Sequence, residues 1–302
     1  MTNHAAAPFR PRNALALVNP ISGRGRGEHC LKQLPDLFKR RGVMAEVIPL
    51  TGPEALAATI QAEAAKFDLV AVGGGDGTIN RAAQAILKYH PDKPLGLIPL
   101  GLSNCLARHL GLGFDLEAAV GILARGDLIK LDVGLFSDQV FLSFLGAGFD
   151  AAVVEKVAGA RRGTVSNLDY LKAGWREFAE GPWPELRVEV DGRKVEGVFF
   201  QVILTGVSNY ARFFSAPKSP GFNLYLFRRA GRWGLPRSLA KLGAAGLKLH
   251  RACDYSLKVR DKLIVFSENG EGLFQYDGEK GGRLPLECRI KPKGLTFVGP
   301  PS

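Results

Sequence analysis

Four short apolar runs, at 15–18, 45–50, 69–72 and 95–100, alternate with segments 30–41, 53–65 and 77–88 whose apolar residues recur at helical spacing. Strand-length apolar runs separated by helical patterns predict a parallel α/β sheet, because crossover helices are what cover both faces of such strands. Sheets of this kind bind ligands beyond the carboxyl ends of their strands. From about residue 129 the rhythm changes to Val/Ile/Phe-rich runs at 141–145, 186–190, 199–204, 222–227, 255–259, 262–266 and 286–290, punctuated by Gly, Asp and Asn. Asp191-Gly192, between 186–190 and 195–200, predicts a two-residue hairpin turn. The chain of 302 residues, 46% hydrophobic, is long enough for two cores. It is read as an α/β domain over 1–130 and an antiparallel β-sandwich over 131–302, with a helical insertion near 233–249.

Several function classes are set aside by composition. The first apolar run, 14–18, is shorter than a signal peptide's apolar core of about 7–15 residues, so export is not expected. No run approaches the roughly 18 apolar residues of a membrane span, so membrane contact is expected to be peripheral. Cys30, Cys105, Cys253 and Cys288 are scattered and form no C-x-x-C pair, which fits a reducing cytoplasm. The five histidines show no metal-ligand spacing. A net charge of +11 attracts polyanions without choosing among them. Residues 235–251 place Arg237, Lys241, Lys248, His250 and Arg251 among Leu239, Leu242, Leu247 and Leu249. That pattern predicts either a basic helix lying on anionic lipid, with Lys156 and Arg161-Arg162 in the same patch, or a helix packed on the core.

Three polar glycine turns follow the first, third and fourth of the early strands. The first, Asn19-Pro20-Ile21-Ser22-Gly23-Arg24-Gly25-Arg26-Gly27, offers backbone N–H groups, a hydroxyl and two guanidinium groups ahead of a helix, which suits phosphate. It lacks the G-K-[ST] ending of a Walker loop, and alone it reads equally as a flexible turn with solvated arginines. The next runs Gly73-Gly74-Gly75-Asp76-Gly77-Thr78-Ile79-Asn80. Consecutive glycines let a ligand approach the main chain, and Asp76 is placed either to organise Mg²⁺, water or a hydroxyl, or to cap a helix starting near Thr78. The last runs Pro99-Leu100-Gly101-Leu102-Ser103-Asn104-Cys105. An α/β sheet brings turns at successive carboxyl strand ends to one common site.

N-P-x-S-G, G-G-G-D-G-T-x-N and P-L-G-x-x-N-x-x-A, followed far downstream by Tyr276-Asp277-Gly278-Glu279, resemble the diacylglycerol kinase catalytic family, which includes sphingosine kinases and bacterial phosphatidylglycerol kinase-like proteins. The resemblance runs in order from Leu15 to about Val298. It implies a phosphofructokinase-like α/β domain, a C-terminal β-sandwich, and an ATP- and Mg²⁺-dependent lipid kinase that works at the membrane surface. It implies that Asn19, Ser22 and Gly23 hold the nucleotide phosphates, that Thr51 lies near the nucleoside, and that Gly74, Gly75, Asp76, Gly77 and Thr78 wrap the triphosphate beside Gly101, Ser103 and Asn104. Asp277 and Glu279 are implied from the second domain, with Asp277 the leading acceptor of the lipid hydroxyl's proton. Asp150 matches another family position near the acceptor; as a residue ending an apolar strand it reads equally as a helix N-cap. Asp277-Gly278 reads alternatively as one more hairpin turn. Asp76, Asp132 and Asp277 are the candidate metal ligands.

Two positions depart from the family pattern. Cys105 stands where relatives usually carry the Asp of G-T-x-N-D, and Arg81 where a Glu commonly follows the second motif. The first removes a carboxylate often assigned to the metal network, and the second places a cation at a helix start that favours anions. Two other function classes stay open: a soluble-metabolite kinase such as an NAD kinase, which shares the G-G-D-G-T turn, and a catalytically impaired protein that binds nucleotide or lipid. Asn19-Pro20-x-Ser22-Gly23 and Asp277-Gly278-Glu279 favour the lipid kinase. A lipid is the expected partner and no specific nucleic acid is; the acceptor lipid and the oligomeric state, a homodimer included, are not fixed by these residues.

Overall fold

The structure, a computed structural model, describes residues 8–159, 184–210, 214–228, 234–270 and 272–301. The chain divides into two compact units, one of residues 1–133 and 292–302, the other of residues 134–291.

In the first unit, strands β1 (Asn13–Val18), β2 (Met44–Pro49), β3 (Leu69–Gly74) and β4 (Leu95–Pro99) form a parallel sheet in the order β2-β1-β3-β4. Every residue of β3 and β4 is buried, as the unbroken apolar runs of central parallel strands require. β2 lies at the edge with Met44 exposed and ends in Pro49, which an edge strand tolerates. Helix α1 (Arg26–Arg40) buries Cys30, Leu34, Leu37 and Phe38, the face set by i, i+4, i+7 and i+8 spacing, against Ala14, Ala16 and Val18. Each such buried Leu or Phe contributes about 1.5–3 kcal/mol. Helices α2 (Pro53–Glu63), α3 (Asp76–Tyr89), α4 (Cys105–Leu110) and α5 (Leu116–Arg125) follow β2, β3 and β4. Because the chain leaves β1 for β2 on one side and returns past it to β3 on the other, the order reverses between β1 and β3. A doubly wound sheet binds its ligand at that reversal, and the first two glycine turns lie there.

Strand β5 (Asp127–Phe136) leads into the second unit, which is built from antiparallel strands: β6 (Gln139–Phe141), β7 (Phe144–Gly148), β8 (Leu186–Val190), β9 (Arg193–Thr205), β10 (Asn209–Tyr210), β11 (Phe214–Ser215), β12 (Phe222–Arg228), β13 (Tyr255–Val259), β14 (Lys262–Ser267), β15 (Leu273–Tyr276) and β16 (Glu279–Arg283). β9 is the hub, pairing with β7, β8 and β12. Its core gathers Phe141, Leu145, Phe199, Leu204, Phe222 and Leu263. Helix α6 (Phe149–Gly159) follows β7. The final strand, β17 (Leu286–Gly299), pairs antiparallel with β14 near its start and then, at Phe297, parallel with Leu95 of β4.

The basic segment 235–251 is not one helix. It forms α7 (Gly234–Ala244) and α8 (Leu249–Ala252), interrupted where Gly246 and Leu247 take φ of 59° and 60°. Lys241 is held 2.6 Å from Asp254, which commits one of the patch's cations to an intramolecular pair. Arg161-Arg162 lie outside the described residues. Among the described residues, no helix is long and apolar enough to cross a membrane.

Candidate active site

The three glycine turns of the first unit are bolted to one another. The Asn19 N–H donates to Gly73 O at 2.9 Å, and the Leu100 N–H donates to Gly74 O at 3.0 Å, so each turn starts from a shared register. Asn19 Oδ1 accepts from the Ile21 N–H at 3.2 Å, which folds the first turn back on itself. Arg26, expected to face phosphate, instead reaches across to the third turn, where its Nη2 donates to Leu100 O and Gly101 O. Arg24 is exposed, at φ 57°.

Gly75 and Gly101 meet main chain to main chain. A Cβ built on Gly101 would stand 2.6 Å from Gly75 Cα and 2.7 Å from Asn104 Oδ1, closer than packed atoms come. Gly101→Ala is therefore expected to prise the second and third turns apart at a cost of about 1–3 kcal/mol. A thermal-shift titration with ATP checks it: the ligand-induced rise in Tm should fall well below that of the unmodified protein. Thr78, in the first turn of α3, packs beneath Gly74, and Gly77 precedes it. Asn104 is buried at φ 47°, with its Nδ2 donating to Gly101 O at 2.8 Å. Ser103 contributes its carbonyl to Arg108 Nε at 3.0 Å. Thr51 is exposed just past β2.

Asp76 does not cap the helix it opens. α3 begins at Asp76 itself, and its N-cap, Gly75, has no side chain to do so. The carboxylate turns instead to the start of α4, where Oδ1 accepts from the Cys105 N–H at 2.7 Å. Burial pushes its pKa above the usual carboxylate range, opposed by the backbone N–H groups of Cys105, Asn104 and Leu106. An acid whose pKa is raised by folding favours the fold when neutral, so its contribution is complete below the ordinary carboxylate range and is lost as pH rises through the raised value. In metal-free buffer, Asp76→Asn should match the unmodified protein's Tm at about pH 3 and equal or exceed it at neutral pH. Melting curves across that range give the comparison, and a Tm deficit that grows toward neutral pH would contradict it. Cys105 is buried at the helix start, and Arg81 is exposed on α3.

Asp132, in the middle of β5, accepts from the Lys293 N–H of β17 at 2.8 Å and so ties the two strands together. Among the described residues, no three His, Cys, Asp or Glu side chains gather into a metal cluster.

In the second unit, Asp277-Gly278 is a hairpin turn joining β15 to β16, with φ of 46° and 83°, the signs of a type I′ turn. Its carboxylate is cradled by successive main-chain N–H groups: Leu142 to Oδ2 at 2.8 Å, Ser143 to Oδ1 at 2.8 Å and Phe144 to Oδ1 at 2.9 Å. The Asp277 N–H returns a bond to Phe144 O at 2.9 Å. The same device occurs at Asp191-Gly192 between β8 and β9. There the Asp191 carboxylate accepts from the N–H groups of Arg260, Asp261 and Lys262, and the Asp191 N–H donates to Lys262 O. These bonds hold the Asp191 carboxyl below its ordinary range against the opposing effect of burial.

Asp150 is held differently. It lies in the first turn of α6, and its carboxylate receives two side-chain amides, Gln201 Nε2 at 2.6 Å on Oδ1 and Gln275 Nε2 at 2.9 Å on Oδ2. Gln201 Oε1 accepts from the Asp150 N–H at 2.8 Å. Gln275 Oε1 accepts from the Gly278 N–H at 3.1 Å, so one side chain links Asp150 to the Asp277-Gly278 turn. Both glutamines are buried, and Gly146 leaves the room, since a Cβ there would stand 1.9 Å from Asp150 Oδ2. Glu279 opens β16 opposite Tyr276. Neither glutamine was singled out by sequence, although each interrupts an apolar run, Phe199-Phe200-Gln201-Val202-Ile203-Leu204 and Leu273-Phe274-Gln275-Tyr276. A polar residue inside a buried strand needs a partner, and that was the available signal.

Residues 13–136 match the family model for the diacylglycerol kinase catalytic domain. The chain is 26% identical over 303 aligned positions to diacylglycerol kinases of two Staphylococcus aureus strains, bovine RF122 / ET3-1 and MRSA252, covering 96% of this chain and 93% of each relative. The crystal structure of a diacylglycerol kinase from Bacillus anthracis str. Sterne superposes with a TM-score of 0.77 at 19% identity, over 97% of this chain and 99% of that one, which shows a shared fold. With its motif turns locked together in the stretch that the family model covers, the chain carries a diacylglycerol kinase catalytic domain over residues 13–136 and aligns with such relatives over nearly its whole length.

Proposed function

We propose that this protein transfers the γ-phosphoryl group of ATP to a lipid hydroxyl at a membrane surface in the cytoplasm. The observation that supports it most is the locking of the three motif turns: Arg26 across Leu100 and Gly101, Gly75 against Gly101, and Asp76 onto the start of α4. Phosphoryl transfer asks the protein for position and charge rather than covalent chemistry, and preset backbone dipoles supply both. In this reading Asn19, Ser22, Gly23, Gly74 to Thr78, Gly101, Ser103 and Asn104 hold the phosphates, with Thr51 toward the nucleoside.

The donor set fits a Mg²⁺ that is carried mainly by phosphate oxygens, because such an ion needs only one or two protein carboxylates. Asp76 fits that role as a carboxylate among backbone donors. Asp132 and Asp277 are the other candidate ligands in this reading, and like Asp76 each accepts from main-chain N–H groups. The ion would offset negative charge on the phosphates.

The acceptor oxygen attacks the γ-phosphorus, the bond to the β–γ bridging oxygen breaks, ADP leaves, and the hydroxyl proton passes to a carboxylate. We assign that proton to Asp150. Two buried side-chain amides fix the orientation of its carboxylate, and Gln275 links it to the Asp277-Gly278 turn, whose own carboxylate accepts from three main-chain N–H groups. Glu279, beside the same turn, is the second acid of the second unit in this reading.

The test is transfer of label from γ-labelled ATP to a vesicle panel containing diacylglycerol, a sphingoid base or phosphatidylglycerol, with NAD in a parallel reaction. Labelled lipid without NADP is the expected result. NADP formation, or ATP binding with no labelled lipid from any vesicle, would overturn the reading.

A further inference from the structure

We propose that the turn between α7 and α8, with the β11 segment bonded to it, is a docking surface for the anionic headgroups of a lipid bilayer, and that Leu247 is its apolar contact. The proposal rests on the reading of an enzyme that works at a membrane surface, and deepens it by naming a part of the second unit that meets the lipid.

The sequence marks this region by what it omits. Between Glu196 and Asp254 lie nine lysines and arginines and no aspartate or glutamate, so this stretch carries most of the chain's net charge of +11. The fold gathers parts of it. The Ser215 N–H of β11 donates to Leu247 O at 3.0 Å, and Ser215 forms a parallel bridge with Lys248. Lys218, Arg237, Lys248 and Arg251 are exposed, and the acid that ends the stretch, Asp254, is taken up by Lys241 at 2.6 Å.

The apolar contact is built into the end of α7. The Gly246 N–H donates to Gly243 O at 3.0 Å and the Leu247 N–H to Leu242 O at 2.8 Å, which closes the helix in a glycine cap. Gly246 suits its left-handed φ of 59°, but Leu247 follows at 60°, a conformation that a residue with a Cβ adopts only under strain. Its side chain is nevertheless 41% exposed. A strained, exposed leucine points to a contact outside the chain. Between Arg237 and Lys248 the exposed positions are Ala240, Gly243, Ala244, Gly246 and Leu247. They offer a nucleic acid neither a stacking ring nor a hydrogen-bonding side chain. A leucine among cations instead suits a bilayer surface, where the apolar side chain enters the headgroup layer and the cations meet anionic lipid.

The experiment measures co-sedimentation of the full chain with sucrose-loaded vesicles, of phosphatidylcholine alone or mixed with phosphatidylglycerol. The unmodified protein should prefer the anionic vesicles, and the preference should fall as salt rises. Arg237→Gln, Lys248→Gln and Arg251→Gln combined should lower the partition coefficient on the order of 100-fold, at roughly fivefold per cation. Each single substitution serves should the triple variant fold poorly. Leu247→Asn keeps a residue that tolerates the left-handed turn, and should lower partition about threefold to tenfold with Tm unchanged or raised. Arg193→Gln, Lys194→Gln and Lys291→Gln remove the same charge from exposed positions on β9 and β17, and should change partition by no more than about threefold. Folded surface variants that bind anionic vesicles as well as the unmodified protein, or control substitutions that lose as much as they do, would overturn the proposal. So would a duplex oligonucleotide that the unmodified protein binds more tightly than the vesicles and the surface variants fail to bind, which would make this a nucleic-acid surface. Partition uses neither ATP nor turnover. Vesicle loss in the variants with no labelled lipid from the unmodified protein would remove the kinase reading alone, and labelled lipid with unaltered partition would remove this proposal alone.

Discussion

Asp150→Asn should lower kcat for lipid phosphorylation by about 10²- to 10⁴-fold, the range for removing a general base, while leaving the ATP-induced rise in Tm intact. Asn is nearly the shape of Asp, so the packing of α6 on its neighbours survives. Its amide keeps one acceptor, yet it presents an NH₂ where Gln201 or Gln275 now donates. Gln275 is prevented from flipping by its bond to Gly278, so one donor faces another at a cost of about 1–2 kcal/mol. Single-turnover measurements separate the chemical step from lipid binding, and the loss should sit in the former. A kcat within threefold of the unmodified protein would leave Asp150 no role in proton transfer.

Asp277→Ala should be among the most destabilising turn substitutions among the described residues. It removes the acceptor for three backbone N–H groups and leaves Ala at φ 46°, a conformation that costs a residue with a Cβ roughly 1–2 kcal/mol. With the unsatisfied donors the total is about 2–4 kcal/mol, a Tm drop on the order of 5–15 °C. Asp191→Ala provides the control, because Asp191 makes the same cradle at another hairpin. Asp191→Ala should lose stability comparably and keep its turnover per folded molecule, whereas Asp277→Ala should lose both, through Gln275. Differential scanning calorimetry alongside kcat corrected for the folded fraction makes the distinction. An Asp277→Ala protein that melts like the unmodified one but has no activity would mean that Asp277 acts chemically.

What the sequence made legible was whatever one segment encodes by itself. The strand and helix alternation of the first hundred residues, the Asp191-Gly192 hairpin and the glycine turns are local patterns, and they appear where periodicity places them. Boundaries shifted by a few residues: α1 starts at Arg26 within the glycine turn, and the single apolar stretch near 141–145 divides into β6 and β7. What remained illegible was pairing across long separations. Asp76 satisfying the helix 29 positions on, Arg26 reaching Leu100, and Gln275 meeting Asp150 depend on tertiary approach, for which spacing carries no signal. The broken basic helix failed for another reason. The leucine spacing on either side of Gly246 continues the helical pattern through it, and a single glycine inside such a pattern is tolerated.

The return of β17 to β4 has a consequence for synthesis. Residues 292–299 are made only after the whole second unit, yet Phe297 supplies the parallel pairing of Leu95 on the flank of β4 away from β3. During translation that flank stays unpaired, a bare row of N–H and C=O groups on an apolar strand, the kind of surface that recruits foreign strands. The nascent protein is thus exposed to aggregation longest at its oldest domain, and its vulnerability ends when the last strand threads home.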